Sequence, residues 1–311
     1  MLSVKHLIDT YSLTADDITQ ILDTAASFES VNNRAIKKVP ALRGRTIVNL
    51  FLEPSTRTKS SFELAEKRLS ADSLSMGGST SSVVKGESLA DTIQTISAMN
   101  VDMFVCRAKL AGTPQRITEN TDAVVINAGD GKHQHPTQAM LDLYTIRKNF
   151  GHLDGLRVAI VGDLAHSRVC GSLAPAFKTM GAEVTLVGPP TFQVDDPDWF
   201  GCPQTASLDD VIEDMDVVYR LRVQLERMEG AAIPSRREYN RLYGLDMTRV
   251  NRMKPDAIIC HPGPMNRGME INADVADCAR SRILNQVNAG VLTRMAEMYL
   301  LLGGENNGLS A

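Results

Sequence analysis

Two rhythms of apolar and polar residues alternate along the chain. In one, short apolar runs are bounded by glycine, proline or charge: Thr46–Leu52, Val101–Cys106 and Ala123–Asn127, then LRVAIVGD from Leu156, AEVTLVGPP from Ala182, DVVYRLRV from Asp216 and DAIICHPGP from Asp256. Such runs predict strands covered on both faces. In the other, apolar residues recur every three or four positions, which predicts helices. These helices are Thr14–Phe28 with Thr14 as cap, Thr56–Leu69, Leu89–Met99, one opening at His135-Pro136 and reaching about Lys148, one from Arg168 to about Met180, and one from Arg282 to about Leu302. Proline in a first turn suits the start at Pro136. The last helix carries Ile283, Leu284, Val287, Val291, Met295 and Met298 on one stripe, and Gly303-Gly304 suits its end. Gly77–Ser82 predicts a polar loop.

Strands alternating with helices imply parallel sheets with helices on both faces. The alternation pauses at Gly151–Gly155 and then restarts, and 311 residues are more than one core of ordinary size needs. The predicted fold class is therefore α/β, with two doubly wound parallel-sheet domains. The first covers residues 1–150, with the C-terminal helix (about 285–311) packing back on it, and the second covers 151–284. In open sheets of this type ligands bind beyond the carboxyl ends of the strands. That rule singles out Glu53–Thr58, Arg107, Gly129–His135, Asp163–Arg168, Arg222–Gln224 and His261–Arg267.

Composition removes several classes of function. Net charge is −4 and the isoelectric point about 5.9, so a nucleic-acid partner is not expected. No apolar run approaches the roughly 18 residues of a membrane span. The start, MLSVKHLIDTYSLTADDITQIL, lacks the basic end and apolar block of an export signal. The five cysteines (Cys106, Cys170, Cys202, Cys260, Cys278) are odd in number and never spaced C-x-x-C. That pattern suggests reduced thiols in a cytoplasm, and neither a disulfide frame nor a zinc site.

The strand-end segments gather cations and neutral donors. Ser55-Thr56-Arg57-Thr58 sits where a strand hands over to a helix. Unpaired N–H groups at a helix start, added hydroxyls and a guanidinium fork suit a phosphate. The competing reading makes Ser55 an ordinary cap and Arg57 a solvated charge. Ser81 and Lys85 lie in a small polar segment that could close over an anion. His135 and Gln138 share one face of a helix start, where a histidine can polarise a carbonyl or merely cap its own helix. Arg107 ends a strand, as a site cation or an ion-pair partner. Arg168, Arg222 and Gln224 suit the carboxylates of a small acidic substrate, against the alternative of surface salt bridges. GDLAHSR at Gly162–Arg168 lacks the G-x-G-x-x-G fingerprint, and no acid follows the next strand, which argues against a nicotinamide-dependent dehydrogenase. No carboxylate pair, Cys–His pair or metal cluster joins these residues. The chemistry indicated is electrostatic stabilisation and positioning of small anions.

Several of these segments occur as a set. STRT at Ser55–Thr58 followed by SFE at Ser61–Glu63, KGESLADT at Lys85–Thr92, HPTQ at His135–Gln138, HSRV at His166–Val169, RVQ at Arg222–Gln224 and HPGPMNRG at His261–Gly268 run in order over nearly the whole chain. In this the sequence resembles the aspartate carbamoyltransferase catalytic chains. The ornithine branch has an HCLP segment where this chain has HPGP. The resemblance implies transfer of a carbamoyl group from carbamoyl phosphate to L-aspartate in pyrimidine biosynthesis, with neither cofactor nor metal. It implies that Ser55, Thr56, Arg57 and Thr58 bind the phosphate, with Ser81 assisting. Thr58, Arg107 and His135 polarise the carbonyl, and Gln138 holds the amino group. Lys85, Arg168, Arg222 and Gln224 take the aspartate carboxylates, with Pro262 and Gly263 lining the site. Glu53 and Arg227 help hold the domains closed. Ser81 and Lys85 come from a neighbouring subunit of a homotrimer, which regulatory or dihydroorotase chains can join. Alternatives are a different amine such as ornithine, or a non-catalytic member. Lys59 and Ala108 depart from residues common in the family, Arg and His respectively.

Overall fold

The computed structural model describes residues 2–77, 87–196, 200–223, 233 and 235–303. The chain divides into two compact units: residues up to Tyr144 together with those from Asn288 onward, and Thr145–Val287. The divisions fall inside the helices Pro136–Phe150 and Ile283–Leu301.

The first unit is built on β1 (Thr46–Phe51), β2 (Asp72–Gly77), β3 (Met103–Ala108) and β4 (Val124–Asp130), in the order β2-β1-β3-β4 with every pair parallel. β1, β3 and β4 are buried almost throughout, as expected of parallel strands covered on both faces. Val48, Leu50, Phe104, Cys106 and Val125 form their core with Ile93, Ile96 and Ile117. β2, DSLSMG, has no buried residue and no apolar run, so the sequence pattern missed it. Backbone pairing holds it, from Thr46↔Asp72 to Phe51↔Gly77. Gly77 closes that ladder at φ 145°, where a Cβ would stand 2.1 Å from the Phe51 carbonyl oxygen, so a larger residue would push the strands apart.

Helix ends follow local chemistry. Ala15–Ser27 starts at Thr14, which forms a reciprocal capping box with Asp17. The helix Thr56–Leu69 is fastened to the sheet by Glu66, fully buried, which accepts from Asn49 Nδ2 at 2.8 and 2.9 Å and from the Ser73 hydroxyl. Burial raises the Glu66 pKa, against these hydrogen bonds.

The second unit holds β5 (Arg157–Val161), β6 (Glu183–Val187), β7 (Gln204–Thr205), β8 (Val217–Arg220) and β9 (Ile258–Cys260), in the order β7-β6-β5-β8-β9 and all parallel. Its core joins Ala159, Val161, Val218 and Ile259 to Leu208, Leu245 and Ile271. β7 is only two residues long and was not predicted. The last helix, Ile283–Leu301, corrects one expectation: Leu284 and Val287 are 82% and 55% exposed, while Val291, Met295 and Met298 are buried. Polar residues stand on its buried side too, among them Gln286, Thr293, Arg294 and Glu297, so its spacing could not tell which face is covered. Among the described residues no helix is long and apolar enough to cross a membrane.

Candidate active site

In each sheet the strand order reverses once, between β1 and β3 in the first unit and between β5 and β8 in the second. Such switch points open crevices at the carboxyl ends of the strands. The predicted residues described in the structure follow those ends.

At the first switch point, β1 runs through Glu53 into the helix that starts at Thr56. Ser55 has extended backbone, and its side chain makes no capping hydrogen bond. The ordinary-cap reading of Ser55 therefore fails. Arg57 is exposed, and Ser55 and Thr58 are half-buried. The helix has no acidic residue in its first turn. Neither has the helix from Pro136 nor that from Arg168. The helices from Ala15, Leu89 and Arg236 have Asp16 and Asp17, Asp91 and Glu238 there, while those from Thr113, Met247 and Ile283 also have none. A helix start without its own acids leaves its positive end to an outside anion.

Arg107 stands at the end of β3. Its Nη1 donates to the Ala128 carbonyl at 3.1 Å, and its Nε lies 3.3 Å from the Glu53 carboxylate. Two strand ends thus hold the guanidinium in one orientation. β4 ends in the fully buried Asp130, which accepts from Gly112 N–H at 2.7 Å, Asn127 Nδ2 at 2.8 Å and Gln134 N–H at 3.1 Å. The turn into HPTQ is fixed by that one carboxylate. His135 is buried, with Nδ1 3.4 Å from the Thr137 hydroxyl. Gln138 Nε2 donates to Asp142 at 3.0 Å, which fixes the amide so that its oxygen remains as acceptor.

In the second unit Asp163, buried at the end of β5, lies 2.8 Å from His166 Nδ1. Ser167 caps the next helix through Cys170 N–H, placing Arg168, itself buried, in the first turn. Leu221 N–H still bonds the Val161 carbonyl at 2.8 Å, and Arg222 follows, half-buried. The His261 ring accepts from Gly263 N–H at 2.7 Å, shaping the Pro262–Gly263 turn, where Gly263 has φ 60°. Asn266 Nδ2 donates to the Val223 carbonyl at 3.1 Å. The arginine segment and the HPGP segment are thereby tied together. Ser81, Lys85, Gln224 and Arg227 lie outside the described residues.

Residues 5–148 match the family described as aspartate/ornithine carbamoyltransferase, carbamoyl-P binding domain. Residues 154–301 match its Asp/Orn binding domain. The chain belongs to the aspartate/ornithine carbamoyltransferase family. It is 54% identical to the aspartate carbamoyltransferase catalytic subunit of Thermobifida fusca, over 97% of this chain and 96% of that one. It is 51% identical to that of Syntrophotalea carbinolica, with the same coverage. The catalytic subunit of M. jannaschii aspartate transcarbamoylase superimposes with a TM-score of 0.85 at 35% identity, over 98% of this chain and 100% of that one. Ornithine carbamoyltransferase from Pyrococcus furiosus gives 0.88 at 27% identity, over 97% and 98%. Fold therefore does not separate the two branches of the family.

Against this carbamoyltransferase background, buried acids prove to fix the candidate segments within each unit; Asp130 and Asp163 lie inside segments that the strand-end rule selected without having a role assigned, and Asp142 and Glu270 were not named. Asp130, Asp142, Asp163 and Glu270 are all fully or almost fully buried. Their signal was present in the sequence as acids beside or within apolar segments. Cys106 and Cys170 are not placed for chemistry. Burial, with Asp130 nearby, pushes the Cys106 thiol up, and burial, with Cys202 and Asp163, pushes up Cys170. Neither is a nucleophile near neutral pH. Among the described residues no three His, Cys, Asp or Glu side chains are grouped to hold a metal ion.

Proposed function

We infer that this chain is the catalytic chain of an aspartate carbamoyltransferase. It transfers the carbamoyl group of carbamoyl phosphate to the amine of L-aspartate, giving N-carbamoyl-L-aspartate and phosphate for pyrimidine biosynthesis. The near full-length identity to aspartate carbamoyltransferase catalytic subunits carries this reading. The acid-free, uncapped helix start at Ser55–Thr58 supports a phosphate site.

Ser55, Thr56, Arg57 and Thr58 hold the phosphate of carbamoyl phosphate, with Ser81. Thr58, Arg107 and His135 donate to the carbonyl oxygen, and the Gln138 amide oxygen accepts from the carbamoyl amino group. Arg168, Arg222, Gln224 and Lys85 take the aspartate carboxylates, with the backbone at Pro262 and Gly263. The unprotonated amine forms a bond to the carbamoyl carbon. Negative charge gathers on the carbonyl oxygen, where fixed donors stabilise it more in the transition state than in the substrate. The bond from carbon to the phosphate oxygen then breaks, and the leaving phosphate takes the amine proton. The chain works as a cytoplasmic homotrimer in which Ser81 and Lys85 reach the site of a neighbour. The catalytic-subunit descriptions of its relatives fit further association with regulatory or dihydroorotase chains.

A product assay tests the reaction. Purified protein with carbamoyl phosphate is expected to give equal N-carbamoyl-aspartate and phosphate from aspartate, and no citrulline from ornithine. Citrulline would reassign Arg222 and its neighbours. No product from either amine, with carbamoyl phosphate still bound, would make the chain a non-catalytic member. Sharing of sites has its own test. Inactive Lys85→Ala chains mixed with inactive Arg57→Ala chains should regain part of the activity, and failure after verified subunit exchange would refute it.

A further inference from the structure

Behind the second half of the site lies a buried ionic network that the reaction chemistry does not use. β8 ends in Arg220, which is fully buried. Its Nε donates to the Glu270 backbone carbonyl at 3.0 Å. Its two Nη groups and the second Glu270 oxygen are buried without a well-aligned hydrogen bond among the described residues, with the Tyr239 hydroxyl beside the guanidinium. Burial lowers the arginine's pKa, and Tyr239 and Glu270 work against that shift. The Glu270 carboxylate, also fully buried, accepts from Asn266 N–H and lies 3.2 Å from His261 Nε2. From there the network reaches two places. His261 holds Gly263 N–H at 2.7 Å, and Asn266 returns to the Val223 carbonyl at 3.1 Å.

Stability alone does not account for this arrangement. A buried charge with unmet hydrogen-bonding capacity is a poor stabiliser, and well-packed neutral groups in its place are often neutral or favourable. What the network does provide is a fixed spacing. Arg222 and Val223 on one segment, and Pro262 and Gly263 on the other, are referred to the same carboxylate, and Arg220 is its buried counter-charge. We propose that Arg220 is a positioning residue for the dicarboxylate half of the site: through Glu270 it holds the Arg222 segment and the Pro262–Gly263 turn at the separation that binds the amine substrate. This rests on the assignment of those segments to aspartate.

The test measures KM for aspartate, KM for carbamoyl phosphate and the thermal midpoint of the assembled enzyme carrying Arg220→Met, Arg220→Lys, or Arg220→Met with Glu270→Gln. The last leaves no unpaired charge, and so provides a folded variant if Arg220→Met alone does not fold. The expected result is a rise of roughly tenfold or more in KM for aspartate in both methionine variants, of the size seen when supporting residues behind a site are changed. KM for carbamoyl phosphate should stay within about twofold, and lysine should restore part of the loss. The double variant should melt no lower than wild type. Unchanged KM for aspartate in a folded variant overturns the proposal. So does a parallel rise in both KM values, or failure of both methionine variants to fold, since each marks a role in stability alone. Wild-type enzyme that ignores aspartate overturns the functional reading and this inference together. Active wild type with an unaffected variant overturns only the inference.

Discussion

An Arg57→Ala enzyme is expected to fold like the wild type and to lose about 10²–10³-fold in turnover, the usual cost of removing one preorganised donor from a developing charge. The guanidinium is exposed in the first turn of a helix that has no acid there. Removing an exposed side chain of this kind changes stability by only about 0.5 kcal/mol. In the proposed reaction its phosphate partner gains charge: as the carbon–oxygen bond breaks, the bridging oxygen becomes a phosphate oxygen, and the arginine fork would bind that product more strongly than the acyl phosphate. The loss should therefore appear in kcat as well as in KM for carbamoyl phosphate. Arg57→Lys should fall between the two, because it keeps the charge and loses the planar fork. Steady-state kinetics with a thermal melt on the same samples check this, and wild-type rates in a folded Arg57→Ala chain would remove Arg57 from the site. His135→Ala should also largely abolish turnover. His135 is buried, so that variant has to be read against its own melt.

Why Arg57 could be picked from the sequence, and Arg220 could not, is a matter of periodicity. Strand ends are visible as the stops of apolar runs, and the rule placing ligands beyond them then selects Ser55–Thr58, Arg107, His135 and Arg168 without coordinates. Whether Ser55 caps its helix was open, because serine suits both roles; only the side-chain geometry decided it. β2 stayed hidden because an edge strand held by its backbone needs no apolar alternation. The roles of Asp130, Glu270 and Arg220 were unreadable for a different reason. Asp130 and Arg220 end strands, as the candidates do, and Glu270 lies in a turn, yet each is buried and serves the backbone or its neighbours. A charged residue at a strand end can face ligand or protein, and sequence spacing is the same in both cases. The branch of the family shows the same limit at a larger scale: the ornithine and aspartate enzymes share the fold.

The second large effect concerns a group outside the chemistry. The contribution of Glu297 to stability should fall as pH rises from about 4.5 to about 8, so that Glu297→Gln gains stability relative to wild type over that range. Glu297 and Arg294 lie one turn apart on the last helix, and both are buried in the first unit. Arg294 Nη1 donates to the Ser61 hydroxyl at 2.6 Å, and its guanidinium stands 4.9 Å from the centre of the Phe62 ring. The arginine thus braces the helix that begins with Ser55–Thr58. Neither carboxyl oxygen of Glu297 has a hydrogen bond among the described residues. Burial pushes Glu297 up to about 8, although Arg294 pulls it down. The sign follows from proton counting. Between the ordinary carboxyl value and about 8 the folded chain keeps a proton on Glu297 that the unfolded chain has released. Stability is therefore greatest below the lower value and is lost through this window, by at most about 1.4 kcal/mol per pH unit. Over the same range Arg294, lowered by burial only to about 10, keeps its charge. Glutamine has the shape of the protonated acid and does not titrate. Thermal unfolding of both proteins at pH 5, 6.5 and 8 isolates the contribution, because every other titrating group is common to the pair. The midpoints should nearly coincide at pH 5, with the glutamine protein progressively higher by pH 8. A difference that does not change with pH would mean that Glu297 is ionised throughout, held as a salt bridge by Arg294.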